Sequence, residues 1–304
     1  MKQYSLFLLC GIAVSFGLAA QEDFSWWNEK QQWDGKTHWR HYIILSPAFM
    51  GPNALPVPEF RTAYLEDQLQ LEAGGEAHFG KGDRTQNGYT ALTIPMGEKV
   101  NILVFSSPLE YYRLDTLTRD ERKSRDRDSK GFAWGDLYFG TRFKVLYKKE
   151  RWPDISAGMY FRAPSGGKLS AARHTDTPGY YFNVEASRSI KTGGKLIQEW
   201  TPFLNLGFYV WQVMRDDNLQ NDAFLFGAGL QMQTRNLQIE ASSGGYQGYF
   251  KNGDAPLVVR LHISQKQQGG HKGYWRLRLQ QGLFDFPYWS ARLTYTFVLN
   301  PGNH

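Results

Sequence analysis

His262 and Ser264 stand two residues apart in LVVRLHIS, residues 257–264. On a strand that spacing sets an imidazole and a hydroxyl on one face, the pairing of a general base with a nucleophile. A working triad also needs an acidic group to orient the imidazole, and none stands near in the sequence. His78 and His174 fall beside polar connecting stretches, where a solvated imidazole is the ordinary state. The run RDERKSRDRDSK, residues 119–130, mixes both charge signs without the regular carboxylate spacing of a calcium loop, and is expected to be a solvated surface loop. No catalytic residue, metal ligand or cofactor is assigned on these patterns. A lipid-modifying hydrolase stays as the lesser alternative.

The elements that carry these residues are strands. Residues 135–149 read GDLYFGTRFKVLYKK. Every second residue gives Leu137, Phe139, Thr141, Phe143, Val145 and Tyr147 on one face. The other face takes Asp136, Tyr138, Gly140, Arg142, Lys144, Leu146 and Lys148. A period of two is a strand with an apolar and a polar face. WRLRLQQG and NLQIEASS sort in the same way, with Trp275, Leu277 and Leu279 against Arg276, Arg278 and Gln280, and Leu237 and Ile239 against Gln238 and Glu240. About twelve such strands are expected, at 64–79, 87–96, 99–113, 132–149, 153–163, 179–190, 196–213, 222–233, 236–245, 256–266, 273–284 and 288–297. Many exceed the five or six residues usual in soluble sheets and suit tilted strands crossing a bilayer.

The connections alternate. Gly97-Glu98, KERWP, KTGGK, Gln233-Thr234-Arg235 and QQGGH are tight, whereas GKGDRTQ, 114–131, APSGGKLSAARHTDTP, RDDNLQN and YQGYFKNGD are mostly longer and polar. Short turns on one side and long loops on the other mark an outer-membrane barrel, with the turns periplasmic. A soluble barrel would have to bury the apolar list of a dozen long strands in a narrow interior, whereas lipid accepts it. The expected fold is therefore all-β, a transmembrane up-and-down antiparallel barrel over 61–304. The net charge of +6 alone would admit nucleic acid. The basic residues are scattered over alternating strands, and no nucleic-acid motif is present, so that partner is excluded.

Ahead of the strands, MKQYSLFLLCGIAVSFGLAAQ has a Lys, an apolar run and small residues, the layout of a signal peptide over 1–20 cut after Ala19 or Ala20. It contains Cys10, the one cysteine, so the mature chain has no disulfide. Residues 21–60 form a leader, Trp-rich and then Pro-rich. Prolines at 47, 52, 56 and 58 forbid helix or central strand, so an extended periplasmic leader or plug is expected.

The polar faces place Arg142, Lys144, Arg162, Glu185, Glu240, Arg260, His262, Arg276, Arg278 and Arg292 in the lumen. Where the first strand meets the last, Glu72 could face Arg292. A basic wall favours anionic solutes in a pore; the competing arrangement is a ladder of internal ion pairs filling the barrel. Trp134, Trp152, Trp200, Trp275 and Trp289 lie near strand ends, as an interfacial girdle requires.

The last strand, YWSARLTYTF, ends in Tyr295 and Phe297 on the outward face and resembles the C-terminal assembly signal of outer-membrane barrels, although VLNPGNH follows it. GPNALPVPEF with GDLYFGTRF resembles uncharacterised, porin-like outer-membrane barrels of the Bacteroidota type. The resemblance implies a Gram-negative outer-membrane location, lipid and lipopolysaccharide neighbours, and the barrel-assembly machinery as partner. The expected function is a porin-like channel for small hydrophilic solutes, with a non-transporting structural or assembly partner of an envelope complex as the alternative. Nothing in the sequence sets the oligomeric state.

Overall fold

The computed structural model of the chain describes residues 23–213, 215, 217–266 and 272–299. The expected signal peptide, with Cys10, and the end of the VLNPGNH tail lie outside them. The chain forms two compact units, Met1–Thr37 and His38–His304. In the first, Ser25–Lys30 is a short helix (α1), and Trp33 Nε1 donates to Thr37 O at 2.7 Å. An extended leader was expected across 21–60. The helix forms because SWWNEK precedes the first proline of the leader, at 47, and contains nothing that breaks a turn.

Among the described residues the second unit holds fifteen strands. They are β1 (Leu69–Gly80), β2 (Asp83–Met96), β3 (Val100–Ser106), β4 (Glu110–Leu114), β5 (Lys130–Ala133), β6 (Leu137–Leu146), β7 (Asp154–Ala163) and β8 (Gly179–Ser187). There follow β9 (Ile190–Lys191), β10 (Ile197–Gln212), β11 (Gln220–Thr234), β12 (Leu237–Gln247), β13 (Leu257–Gln265), β14 (Gly273–Phe284) and β15 (Tyr288–Leu299). A second helix, α2 (Thr116–Glu121), stands between β4 and β5. All pairings are antiparallel, and β1 bonds to both β2 and β15, which closes the sheet. β4 prolongs β3 beyond a break at 107–109, β5 prolongs β6, and β9 prolongs β8, so the ring has twelve staves. Closure leaves no unpaired edge, which a hydrocarbon environment demands.

The alternation resolves as expected. Along β6, Phe139, Phe143 and Val145 are exposed outward while Tyr138 and Arg142 are buried inward. Phe161, Phe182, Leu206 and Phe208 continue the outward apolar band around the ring. Side chains of that size on the convex face of a closed sheet are stable against lipid and not against water.

Two boundaries differ from expectation. GKGDRTQ is no long loop: Lys81-Gly82 makes a tight hairpin with Gly82 at φ +76°, and β2 begins at Asp83. The first strand starts at 69 instead of 64, because residues 61–66 give their backbone groups to wall side chains instead of to a neighbouring strand. Register also departs. Glu72 stands opposite Thr296, and Arg292 opposite Glu76. A period of two fixes which face a residue takes but not its partner along the ladder.

From His38 on, the leader runs into the ring. Its 3-10 turn, Trp39–Tyr42, lies at the loop end, where Arg40 pairs with Asp176 of the 164–178 loop and Arg125 packs over the Trp39 ring. Leu45 O accepts from Trp211 Nε1 at 3.0 Å, and Ala48 N donates to Gly253 O at 3.1 Å. The chain then descends past Met50, Leu55 and Phe60. At the turn end, Asn101 clasps the Glu66 backbone at 2.8 and 2.9 Å. It therefore crosses the lumen from loops to turns before β1 begins.

Two outcomes follow from this arrangement. Leu206→Arg sets a charge in the apolar band and should destabilise the folded barrel by about 2–4 kcal/mol if it sits near the bilayer midplane, measured by urea unfolding in lipid vesicles. A cysteine at His41 should react with an impermeant maleimide on intact cells, and one at Asp67 should react only after the membrane is opened. The reverse pattern would invert the topology.

Candidate functional site

The lumen is built in three tiers, each pinning the leader through charges from the wall. At the loop end, Asp83 at the start of β2 accepts from Arg122 at 2.7 Å, Arg173 at 2.8 Å and the Tyr288 hydroxyl at 2.6 Å. Arg173 also donates to Glu110 and Thr85, both at 2.7 Å. Asn53 of the leader donates to Glu110 at 2.7 Å, and the Tyr288 hydroxyl oxygen lies 3.2 Å from Met50 O. One buried network thus joins β2, β4, β15, the helix-bearing loop after β4, the 164–178 loop and the leader.

Those two loops were expected to be solvated. Asp115 caps α2 by accepting from Thr118 N at 2.7 Å, and the helix delivers Arg122 inward. The 164–178 loop folds into the mouth, so that Arg173 and His174 are both 0% exposed. His174 lies 3.7 Å from Glu110 and 3.8 Å from Asp136. A guanidinium removed from water needs anionic partners, and only the barrel mouth offers Asp83 and Glu110 together.

The middle tier has two unlike halves. Across β7 to β12 runs a row of rings. Tyr160 stacks on Tyr181 at 4.4 Å between centroids, Tyr181 meets Tyr209 edge-on at 5.6 Å, and Tyr209 meets Tyr246 at 5.0 Å. Opposite them, Glu76 is paired with Arg278 and with Arg292 Nε at 2.9 Å. Glu59 of the leader sits against Arg278, with Arg292 at 3.2 Å, His262 at 3.6 Å and Arg260 at 3.9 Å. The acidic neighbour of His262 that the strand lacks is thus brought by the leader, yet at 3.6 Å it makes no hydrogen bond.

At the turn end, Arg142 binds Glu185 at 2.5 Å and Thr62 O at 2.7 Å, and Ser156 adds a bond to Glu185 at 2.6 Å. Arg276 pairs with Glu72 at 3.1 Å. Glu240 borders the same space without a pairing of this kind, and Lys144 turns its ammonium over the Tyr147 ring at 4.5 Å. Arg162 lies higher, donating to Ala54 O and to Thr177 O at 3.2 Å. Between leader and wall remain cavities of about 90 Å³ at the turn end and about 70 Å³ in the middle, too small for an open passage.

Another hydrogen-bonded series was not legible. Ser290 Oγ lies 2.7 Å from His78 Nδ1, and His78 Nε2 lies 3.0 Å from Asn87 Oδ1. That order of groups is the one a hydrolase uses. Ser290 is 1% exposed, however, and Asn87 also accepts from Asn53 at 3.2 Å, so the series ties wall to leader. Among the described residues no cluster of His, Cys, Asp and Glu could hold a metal ion.

No protein-family model and no curated protein matches the chain. Among solved structures, an outer membrane channel from Pseudomonas putida F1 is similar over 80% of this chain and 100% of its own, at 11% identity and a TM-score of 0.51. The KdgM porin in complex with disordered oligogalacturonate aligns over 76% and 99%, at 7% identity and 0.46. The β domain of the Bordetella autotransporter BrkA aligns over 76% and 99%, at 11% identity and 0.45. The likeness to the channel is one of fold, the closed all-β barrel.

Of the expected girdle, Trp134 and Trp289 lie at the loop end and Trp152, Trp200 and Trp275 at the turn end, with all but Trp200 well exposed. Tyr295 and Phe297 point outward and meet edge-on at 4.8 Å. Glu59, Glu76, Asp83, Glu110 and Arg173 were missed. Asp83 and Thr85 alternate with the next strand, a signal hidden once GKGDRTQ was read as a loop.

Removing Asp83 leaves Arg122 without its carboxylate and Arg173 with Glu110 alone, in a dry site. Asp83→Ala should therefore cost about 3–5 kcal/mol. Denaturant unfolding in detergent measures it, and limited proteolysis should then cut first within 164–178.

Proposed function

We propose that the protein is an integral outer-membrane barrel of a Gram-negative bacterium and a porin-like channel for small hydrophilic solutes, closed in this state by its leader. The observation that carries the reading is the division of labour inside the ring. The wall is complete without residues 38–66, and it presents charged groups to them. With the leader withdrawn, Arg142, Arg162, Arg260, Arg276, Arg278 and Arg292 would line the passage and favour anions. The likeness of fold to an outer membrane channel agrees with this.

The outward apolar band meets lipid, and the loop end meets lipopolysaccharide. Tyr295 and Phe297 face outward on the closing strand, where assembly machinery would read them. The finer likeness to Bacteroidota-type barrels rests on GPNALPVPEF and GDLYFGTRF alone.

A second reading, a non-transporting structural or assembly partner, is favoured by the small size of the two cavities. A lipid hydrolase is disfavoured by the burial of Ser290. Planar-bilayer recording separates the first two. The full chain should pass little current, and a chain lacking residues 21–60 should give discrete, anion-favouring steps. Silence from both supports the structural partner.

A further inference from the structure

The stretch Leu55–Phe60, LPVPEF, meets the wall in a way that ion conduction does not require. Prolines at 56 and 58 hold it extended and remove two N–H donors, so its backbone offers mainly acceptors. The wall offers donors at matching places. Tyr246 OH donates to Leu55 O at 2.8 Å, and Arg260 donates to Val57 O at 2.6 Å and Pro58 O at 2.5 Å. Such bonds grip main chain whatever side chains it carries.

Two side chains are read as well. Glu59 enters the cluster formed by Arg278, Arg292 and Arg260. Phe60 lies on a bare patch of sheet made by Gly227 and Gly244, which face each other across β11 and β12. A Cβ on Gly227 would come within 2.5 Å of the Phe60 ring, whereas one on Gly244 would meet the wall's own Phe226 carbonyl at 2.4 Å before the ring at 2.6 Å. The Arg260 guanidinium stands 5.5 Å from the centre of the same ring. Gly227 is thus the position whose missing side chain leaves room for the ring.

We infer that the lumen is a peptide-binding groove whose ligand is an extended, proline-bearing polypeptide with an acidic residue followed by an aromatic one, and that the leader is its exchangeable resident. The inference goes beyond transport, because binding here does not depend on whether ions pass. Aromatic rows facing proline-rich chain are a recurrent recognition mode, and here the row is the Tyr160–Tyr181–Tyr209 series.

The test begins with the folded full chain in detergent, carrying a protease site at Asp67–Gln68 ahead of β1. After cutting, the leader should stay with the barrel through gel filtration and leave in high salt with mild denaturant. A fluorescent synthetic peptide of residues 43–66 should then bind saturably, by anisotropy. Peptides with Glu59→Gln or Phe60→Ala should bind at least about tenfold more weakly, and a scrambled peptide should not compete. No saturable uptake of the labelled peptide, or equal binding by the variant and scrambled peptides, overturns the inference. Conductance is not among the readouts, so failure of the channel reading leaves this outcome separate.

Discussion

Guanidinium groups taken out of water must be met by acceptors, and that requirement organises the inside of this barrel. Arg142, Arg162, Arg173, Arg260 and Arg278 are all buried. Wall carboxylates such as Glu76, Glu110 and Glu185 answer part of the demand. The remainder is answered by main-chain carbonyls of residues 54–64, which reach the lumen only because the leader is threaded through it. Leaving such groups unmatched costs several kcal/mol each, so an emptied lumen of this composition would have to fill with water or with another ligand.

The same requirement links the barrel ends. Asp83 joins two long loops and Tyr288, and Tyr288 touches the Met50 carbonyl. Neither loop can move outward without breaking bonds that also hold the leader, so closure at the mouth and occupancy of the lumen are coupled by shared partners. The tyrosine row supplies the contrasting half, a surface where Pro56, Val57 and Leu55 are sheltered without needing a charge. One wall brings its arginines to Glu59 and to the Val57 and Pro58 carbonyls, and the other shelters apolar side chains while Tyr246 takes the Leu55 carbonyl.

The barrel was legible because one signal carried it. The alternation in GDLYFGTRFKVLYKK, repeated with tight turns and longer loops, determined face, stave count and closure together. Errors fell where that signal says nothing. The Glu72–Arg292 pairing failed because alternation is blind to sliding by an even number of residues. His174 and Arg122 were taken for solvated loop residues because polar composition looks the same whether the partner is water or a buried carboxylate. Arg260 and Arg278 were placed on the inward face by period alone, but Glu59, which gives that cluster its centre, has no periodicity to betray it.

By itself the sequence determined an all-β chain with oily and wet faces, about twelve staves, and a leader over 21–60 with no sheet to join. Those properties depend on neighbours a few residues away, through side-chain period and the missing N–H of proline. Only the tertiary structure decided that the leader runs inside the ring from loops to turns, that its carbonyls satisfy wall arginines, and that Phe60 rests on Gly227 and Gly244. These depend on contacts between residues 78 to 203 positions apart, and a linear pattern carries no record of which distant acceptor a buried donor will meet.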